Sequence, residues 1–125
     1  MKVLLCMFFM HLVDDYKLQG ILAELKCKNW WIINSPYPRE KYEYDYIIAL
    51  LEHGFMNSFM VHIPIYIWLS QNEKALFISV FAFAILHAFI DHLKANCKKI
   101  NLIQDQVLHI ILIVILFHLW VYFRG

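Results

Sequence analysis

The chain has 125 residues, of which 62% are hydrophobic and only 17% are charged, and its formal net charge at pH 7 is +1. So small a domain has too much surface for its volume to bury this much apolar material in water, which excludes an ordinary soluble enzyme, a disordered segment and a repeat array. Without a basic field, nucleic acid is excluded as a partner too, so the composition predicts a small integral membrane protein whose partner is membrane lipid.

The first predicted membrane helix begins almost at the N-terminus and covers about residues 3–26. Its start, Lys2 followed by VLLCMFFM, is similar to a secretory signal peptide, but no small-x-small cleavage site follows it. We therefore expect this helix to remain in the mature protein. Its polar side chains His11, Asp15 and Gln19 recur every four residues, which places them on one helical face.

The second predicted helix covers about residues 45–70 and contains a proline, Pro64, which membrane helices tolerate. Its polar side chains are His53 and Asn57, again four residues apart. The loop before it contains the sequence NWWIINSPYP, which we expect to lie flat in the membrane interface because its two prolines prevent a helix.

The third predicted helix covers about residues 74–96 and is the plainest membrane segment of the chain. Residues 75–90 include no formally charged side chain, and about 20 residues suffice to cross a hydrocarbon core of about 30 Å. Its polar side chains His87, Asp91 and Lys94 follow at spacings of four and three, which again puts them on one face.

The fourth predicted helix covers about residues 102–123, with a solidly apolar stretch over residues 107–117. It carries Asp105 and His109 four residues apart near its start. Each of the four helices therefore presents one polar face, and the four faces predict a common interior.

Four spans place both termini on one side of the membrane and two connecting loops on the other. The loop side carries Lys26, Lys28, Arg39, Lys41, Lys94, Lys98 and Lys99. The terminal side carries Lys2, Lys74 and Arg124. Because basic residues mark the cytoplasmic side, both termini are predicted to be extracytoplasmic.

These patterns predict an all-α protein, a four-transmembrane-helix bundle with a polar His/Asp centre in its cytoplasmic half. At 1.5 Å of rise per residue, the polar groups meet within roughly a turn or two of one level. The predicted metal ligands are His11, Asp15, His53, His87, Asp91, Asp105 and His109. The side chains expected to orient these ligands are Gln19, Asn57 and Gln106.

Other polar residues are predicted to lie outside this centre. His62, His92 and His118 fall on other helical faces than the centre histidines. Asp14 is expected to point about a quarter turn away from Asp15, toward the interface or a neighbouring helix. Lys26 is interpreted most simply as a topology signal, with contact to lipid phosphate as the alternative.

The chemistry of the centre predicts a divalent metal. Imidazole and carboxylate ligands suit Zn²⁺, Mn²⁺ or Fe²⁺, and unpaired ionisable groups in a bilayer need compensation. Seven ligands exceed one tetrahedral site, so two metals, or one metal with orienting carboxylates, are both open. A metal with an open position would activate water for hydrolysis, with Asp15 or Asp105 as general base and Lys94 holding a phosphate.

Three functions use such a centre. We favour a metal-dependent hydrolase of a lipid or membrane-bound substrate. The first alternative is an ion, proton or metal transport or channel protein that uses the same polar residues. The second is a non-catalytic membrane regulator in which the His–Asp pairs only hold the helices together. The small interior favours a homodimer, but the glycines form no GxxxG motif, so the oligomeric state is open.

The motifs also resemble a known family. HLVDDYKLQ at residues 11–19, His53, HAFIDHLK at residues 87–94 and DQVLH at residues 105–109 resemble domain of unknown function family 3307, which consists of small bacterial and phage membrane proteins. The resemblance covers nearly the whole chain except its long aromatic first loop. It implies a multi-pass protein of the bacterial inner (plasma) membrane and no particular substrate. By looser analogy, ceramidase-like and CAAX-protease-like intramembrane hydrolases also place HxxxD or HxxxN pairs on successive helices.

Overall fold

A computed structural model of the chain describes residues 1–123, and over that range it is helical without any strand. The predicted all-α class is therefore confirmed. Arg124, one of the three basic residues assigned to the terminal side, lies outside the described residues.

The predicted first helix, residues 3–26, is interrupted in the structure. It consists of α1 (Lys2–Val13), a π-helical turn (Asp14–Leu18) and α2 (Leu22–Leu25). In the π-helical turn the backbone N–H of Gln19 donates to the carbonyl of Asp14, five residues earlier, at 3.0 Å. Gly20 follows with a φ of 53°, in the left-handed region that glycine enters at little cost, and this ends the helix.

The first loop contains two short helices, α3 (Lys28–Asn34) and α4 (Arg39–Tyr42). The expectation that its prolines prevent a helix is thus wrong for the part before them. A proline keeps only the residue directly before it out of the helical conformation. Ser35, which precedes Pro36, is accordingly extended, with a ψ of 130°.

The three remaining helices begin and end within a few residues of the predicted ranges. They are α5 (Asp45–Trp68), α6 (Glu73–Ala95) and α7 (Leu102–Phe123). Asn72 caps α6 by accepting a hydrogen bond from the backbone N–H of Ala75 at 3.1 Å. By length and composition, α6 and α7 are the two described helices that could cross a membrane.

Helices α5 and α6 approach each other closely at Gly54. A Cβ atom at this position would lie 2.5 Å from the carbonyl oxygen of Ala84 and 3.2 Å from the Cβ of Ala88. Only a glycine permits this approach, which brings the neighbouring histidines His53 and His87 together across the interface.

The bundle interior has an apolar half and a polar half. We call the end that holds the N-terminus and the last turn of α7 the terminal end, and the opposite end the loop end. The apolar half lies toward the terminal end, and its core, here called the apolar plug, consists of Val3, Met7, Val61, Ile65, Leu69, Phe83, Ile113 and Leu116. The polar half lies toward the loop end.

Candidate metal centre

The structure brings the four predicted polar faces together in the polar half of the bundle. Every side chain predicted as a metal ligand is at most 7% exposed there. These residues are His11, Asp15, His53, His87, Asp91, Asp105 and His109. The two members of each polar pair lie four residues apart, so both side chains project from the inner face of their helix.

Four of these side chains place one atom each in a close group around the facing Nε2 atoms of His53 and His87. Nε2 of His53 lies 3.3 Å from Nε2 of His87. Oδ1 of Asp15 lies 3.1 Å from the His53 nitrogen and 3.7 Å from the His87 nitrogen. Oδ2 of Asp91 lies 3.3 Å and 3.8 Å from the same two atoms. We call these four atoms the cradle.

The spacing of the cradle matches the requirements of a metal ion. Ligand atoms about 2.0–2.1 Å from a tetrahedral ion lie about 3.3–3.4 Å from one another. The five distances above, from 3.1 to 3.8 Å, bracket that value. Two imidazole nitrogens that face each other at 3.3 Å can share at most one proton, whereas a cation between them uses both lone pairs.

The far side of His53 faces a polar network formed by α1, the π-helical turn and α5 itself. Nδ1 of His53 lies 3.7 Å from Oδ2 of Asp14, and Nδ2 of Asn57 donates to that same oxygen at 3.0 Å. His11 donates from Nδ1 to Oδ1 of Asn57 at 3.1 Å, while its Nε2 lies 3.7 Å from Oδ2 of Asp15. His11 therefore stands beside the cradle rather than in it.

Toward the loop end a second group of side chains adjoins the cradle. Nε2 of His109 lies 3.1 Å from Oδ1 of Asp91 and 3.5 Å from Oδ1 of Asp105. Lys94, whose side chain is 28% exposed, donates to the other oxygen of Asp105 at 2.6 Å. Gln106 donates from Nε2 to Oδ2 of Asp15 and to Oδ2 of Asp105, both at 3.1 Å.

The sequence patterns do not predict two residues of the centre, Asp14 and Lys26. Asp14 is 1% exposed, because the π-helical turn changes the angle between successive residues and brings Asp14 and Asp15 inward together. Lys26 is 6% exposed and donates to Oδ2 of Asp91 at 2.7 Å and to Oε1 of Gln19 at 3.0 Å. The left-handed Gly20 turns the chain so that Lys26 reaches inward, and a lone glycine is too weak a signal to predict this.

The charges of the cluster leave room for a divalent cation. Its buried carboxylates are Asp14, Asp15, Asp91 and Asp105. The ammonium groups bound to them are those of Lys26 and Lys94. With the neutral imidazoles that metal ligation requires, four negative and two positive charges sum to −2. One divalent ion balances that sum.

Several buried polar atoms of the cluster lack a hydrogen-bond partner, which is costly in a low-dielectric interior. They are Nε2 of His11, Nδ1 of His53, Nδ1 of His87, Oδ1 of Asp105 and Nδ1 of His109. The donor set, its spacing and its charge fit a metal: His/Asp groups of this cluster can hold an ion.

The remaining histidines lie outside the centre, as their helical positions predict. His62, 2% exposed, bridges α5 and α6 in the apolar half by donating to the carbonyl of Ser58 at 2.7 Å and accepting from Oγ of Ser79 at 2.8 Å. His92 stacks on Tyr46, with ring centroids 6.1 Å apart. His118 is exposed and donates to a backbone carbonyl of its own helix.

No known protein family, curated protein or solved structure matches the chain. The resemblance to domain of unknown function family 3307 therefore stays a prediction.

Proposed function

We propose that this protein is a membrane-embedded, metal-dependent hydrolase that acts on a lipid or another membrane-bound substrate. The observation that carries the proposal is the cradle, in which two imidazole nitrogens lie 3.3 Å apart and two carboxylate oxygens each lie within 3.8 Å of both nitrogens. A mixed nitrogen and oxygen donor set of this kind suits Zn²⁺, Mn²⁺ or Fe²⁺.

The membrane arrangement we propose is a four-span bundle in a bacterial inner membrane. Besides α6 and α7, the outer faces of α1 and α5 carry large exposed apolar side chains that suit lipid, among them Leu5, Phe9, Leu51 and Phe59. Exposed lysines and Arg39 concentrate at the loop end, which supports a cytoplasmic loop end and extracytoplasmic termini.

A divalent ion held by the His/Asp groups of the centre would supply the chemistry of the reaction, because it would lower the pKa of bound water to about 7 and polarise the bond to be cleaved. Of the two predicted bases, Asp15 is a ligand of the cradle. The remaining base is Asp105, whose buried Oδ1 makes no hydrogen bond. Lys94 fixes the other oxygen of Asp105, and Gln106 ties Asp105 to Asp15. These contacts orient the free oxygen toward the polar interior.

A transport function has less support from this arrangement. A path for ions needs polar groups at successive depths through the membrane. Here the polar cluster occupies one half of the bundle, and the apolar plug fills the other half with Met7, Val61, Ile65 and Ile113, each 0% exposed. A polar cluster confined to one half of the bundle suits a reaction site better than a channel.

Metal analysis of protein purified without chelator tests the proposal. We expect about one or more Zn, Mn or Fe ions per chain, and loss of both metal and lipid hydrolysis in His87→Ala, with the helical content unchanged. The matched control is His118→Ala, which removes an exposed histidine and should keep both.

Two results would contradict the proposal. Folded protein that hydrolyses lipid without metal would exclude the metal mechanism. If His87→Ala only lowers the free energy of unfolding, by more than about 1–2 kcal/mol, and wild-type protein binds no metal, the cluster serves to hold the helices together.

A further inference from the structure

We infer that the centre has a second divalent-ion position next to the cradle, formed by Oδ1 of Asp91, Nε2 of His109 and Oδ1 of Asp105, with the Asp91 carboxylate bridging the two ions. This inference rests on the proposed function, because it adds an ion to the same site.

The two oxygens of Asp91 face different groups of ligands. Oδ2 belongs to the cradle, 3.3 Å from Nε2 of His53. Oδ1 lies 3.1 Å from Nε2 of His109, on the other side of the carboxylate. A carboxylate placed in this way between two donor sets is suited to bridge two ions, which in two-metal hydrolases stand about 3.5–4 Å apart.

The third ligand of the second position is a buried oxygen that makes no hydrogen bond in the structure. Asp105 is 0% exposed, and its Oδ1 lacks a hydrogen-bond partner while lying 3.5 Å from Nε2 of His109. Lys94 occupies the other oxygen of Asp105, so it fixes the carboxylate and leaves Oδ1 free. The separations of 3.1 and 3.5 Å around His109 are again those of ligands on one ion.

The two positions differ in the number of protein ligands. Four ligands close a tetrahedral site, whereas catalytic ions keep three protein ligands and leave one position for water. The cradle has four, and the second position has three. When bound, the second ion would therefore carry the reactive water with Asp105 as its ligand, and Asp105 would serve as a base only in a centre that holds one ion.

The second position is also the one nearer to solvent. Asp105 lies in the first turn of α7, at the loop end, and both Lys94 and Gln106 beside it are only half-buried. Because one divalent ion already balances the −2 charge of the cluster, we expect the second ion to bind more weakly than the first, with hydroxide or an anionic substrate group offsetting its charge.

Titration of the full-length protein with Mn²⁺ tests the inference, with metal content and the electron paramagnetic resonance spectrum as readouts. We expect about two ions per chain, bound in two steps, and a spectrum that changes from an isolated ion to an exchange-coupled pair at the second step. Asp105→Asn should bind about one ion and show only the isolated-ion spectrum. Asp45→Asn, the same change in the first turn of α5, is the matched control and should still bind about two.

The outcomes separate this inference from the proposed function. One ion per wild-type chain, with no coupled spectrum at saturating Mn²⁺, would overturn the second position and leave the cradle intact. No bound ion at all would overturn both. The spectrum of the wild-type protein decides the matter even if Asp105→Asn fails to fold, and a coupled pair that persists in folded Asp105→Asn would assign the second ion to other ligands.

Discussion

The ammonium nitrogen of Lys26 lies 2.7 Å from Oδ2 of Asp91, although 65 residues separate the two in the sequence. Lys26 is 6% exposed, so this ion pair is buried and belongs to the interior of the centre. Its acceptor is also a cradle atom. The lysine therefore stabilises the carboxylate when no metal is bound and repels a cation that arrives beside it.

Lys26→Met should affect stability and metal binding in opposite directions. Leaving Asp91 without its partner should lower the free energy of unfolding of metal-free protein by about 3–5 kcal/mol. Removing the positive charge should tighten Mn²⁺ binding by about tenfold, because a cation next to the cradle no longer faces an ammonium group. Thermal unfolding with and without Mn²⁺, together with a binding titration, measures both effects.

Lys17→Met is the matched control, since Lys17 is exposed and close in sequence. It should change neither quantity. Weaker Mn²⁺ binding in Lys26→Met would contradict this assignment and indicate that the lysine mainly orients Asp91.

Asp14→Asn should weaken metal binding while the protein stays folded. The amide oxygen can still accept the hydrogen bond from Asn57, but the charge facing Nδ1 of His53 is lost. Groups that orient a ligating histidine typically change metal affinity by about 10–100-fold when they are altered. A competition titration with a metal indicator measures the change, and Glu24→Gln, at an exposed site in α2, should leave the affinity unaltered. Unchanged metal affinity in Asp14→Asn would show that Asp14 does not contribute to metal binding.

Gly54→Ala should loosen the contact between α5 and α6. Its Cβ would lie 2.5 Å from the carbonyl oxygen of Ala84, so the helices must separate, at a cost of about 1–3 kcal/mol. The separation moves His53 away from His87, and Mn²⁺ affinity should fall with stability. Leu51→Ala, on the exposed side of α5, should keep wild-type Mn²⁺ affinity. Wild-type stability in Gly54→Ala would show that the interface adapts.

Proteoliposomes that contain the protein should show no Mn²⁺ or proton flux above that of empty vesicles. The apolar plug separates the polar half from the terminal end, and an ion cannot cross it without losing its ligands. Fluorescent indicators inside the vesicles measure the flux, and an ionophore is the positive control. A flux that disappears in Asp91→Asn would favour transport over hydrolysis.

Sequence reasoning predicted the helical class because apolar stretches and the four-residue spacing of the polar groups are properties of single helices. The same spacing placed His53, His87, Asp91 and His109 on inner faces, where the structure has them. These residues meet in one place because successive helices alternate in direction.

The parts that sequence reasoning missed depend on backbone geometry that no spacing rule covers. An ideal α-helix puts Asp14 on another face than Asp15, and the π-helical turn alters that geometry. The inward position of Lys26 depends on the left-handed turn at Gly20, which the sequence pattern does not predict. The close contact at Gly54 likewise follows from the packing of two helices and from neither helix alone.

The π-helical turn makes the chemistry of the centre sensitive to the length of the chain as well as to its composition. The turn accommodates one more residue than an α-helical turn would between the same two backbone groups. Deleting one residue there, Tyr16 for example, would let the helix revert to regular geometry, and the segments before and after the turn would keep roughly their relative orientation. In a regular helix Asp14 and Asp15 would point about 100° apart, so only one of the two adjacent carboxylates could face the centre. A chain one residue shorter would thus keep every proposed ligand in its sequence and still lose a carboxylate from the interior.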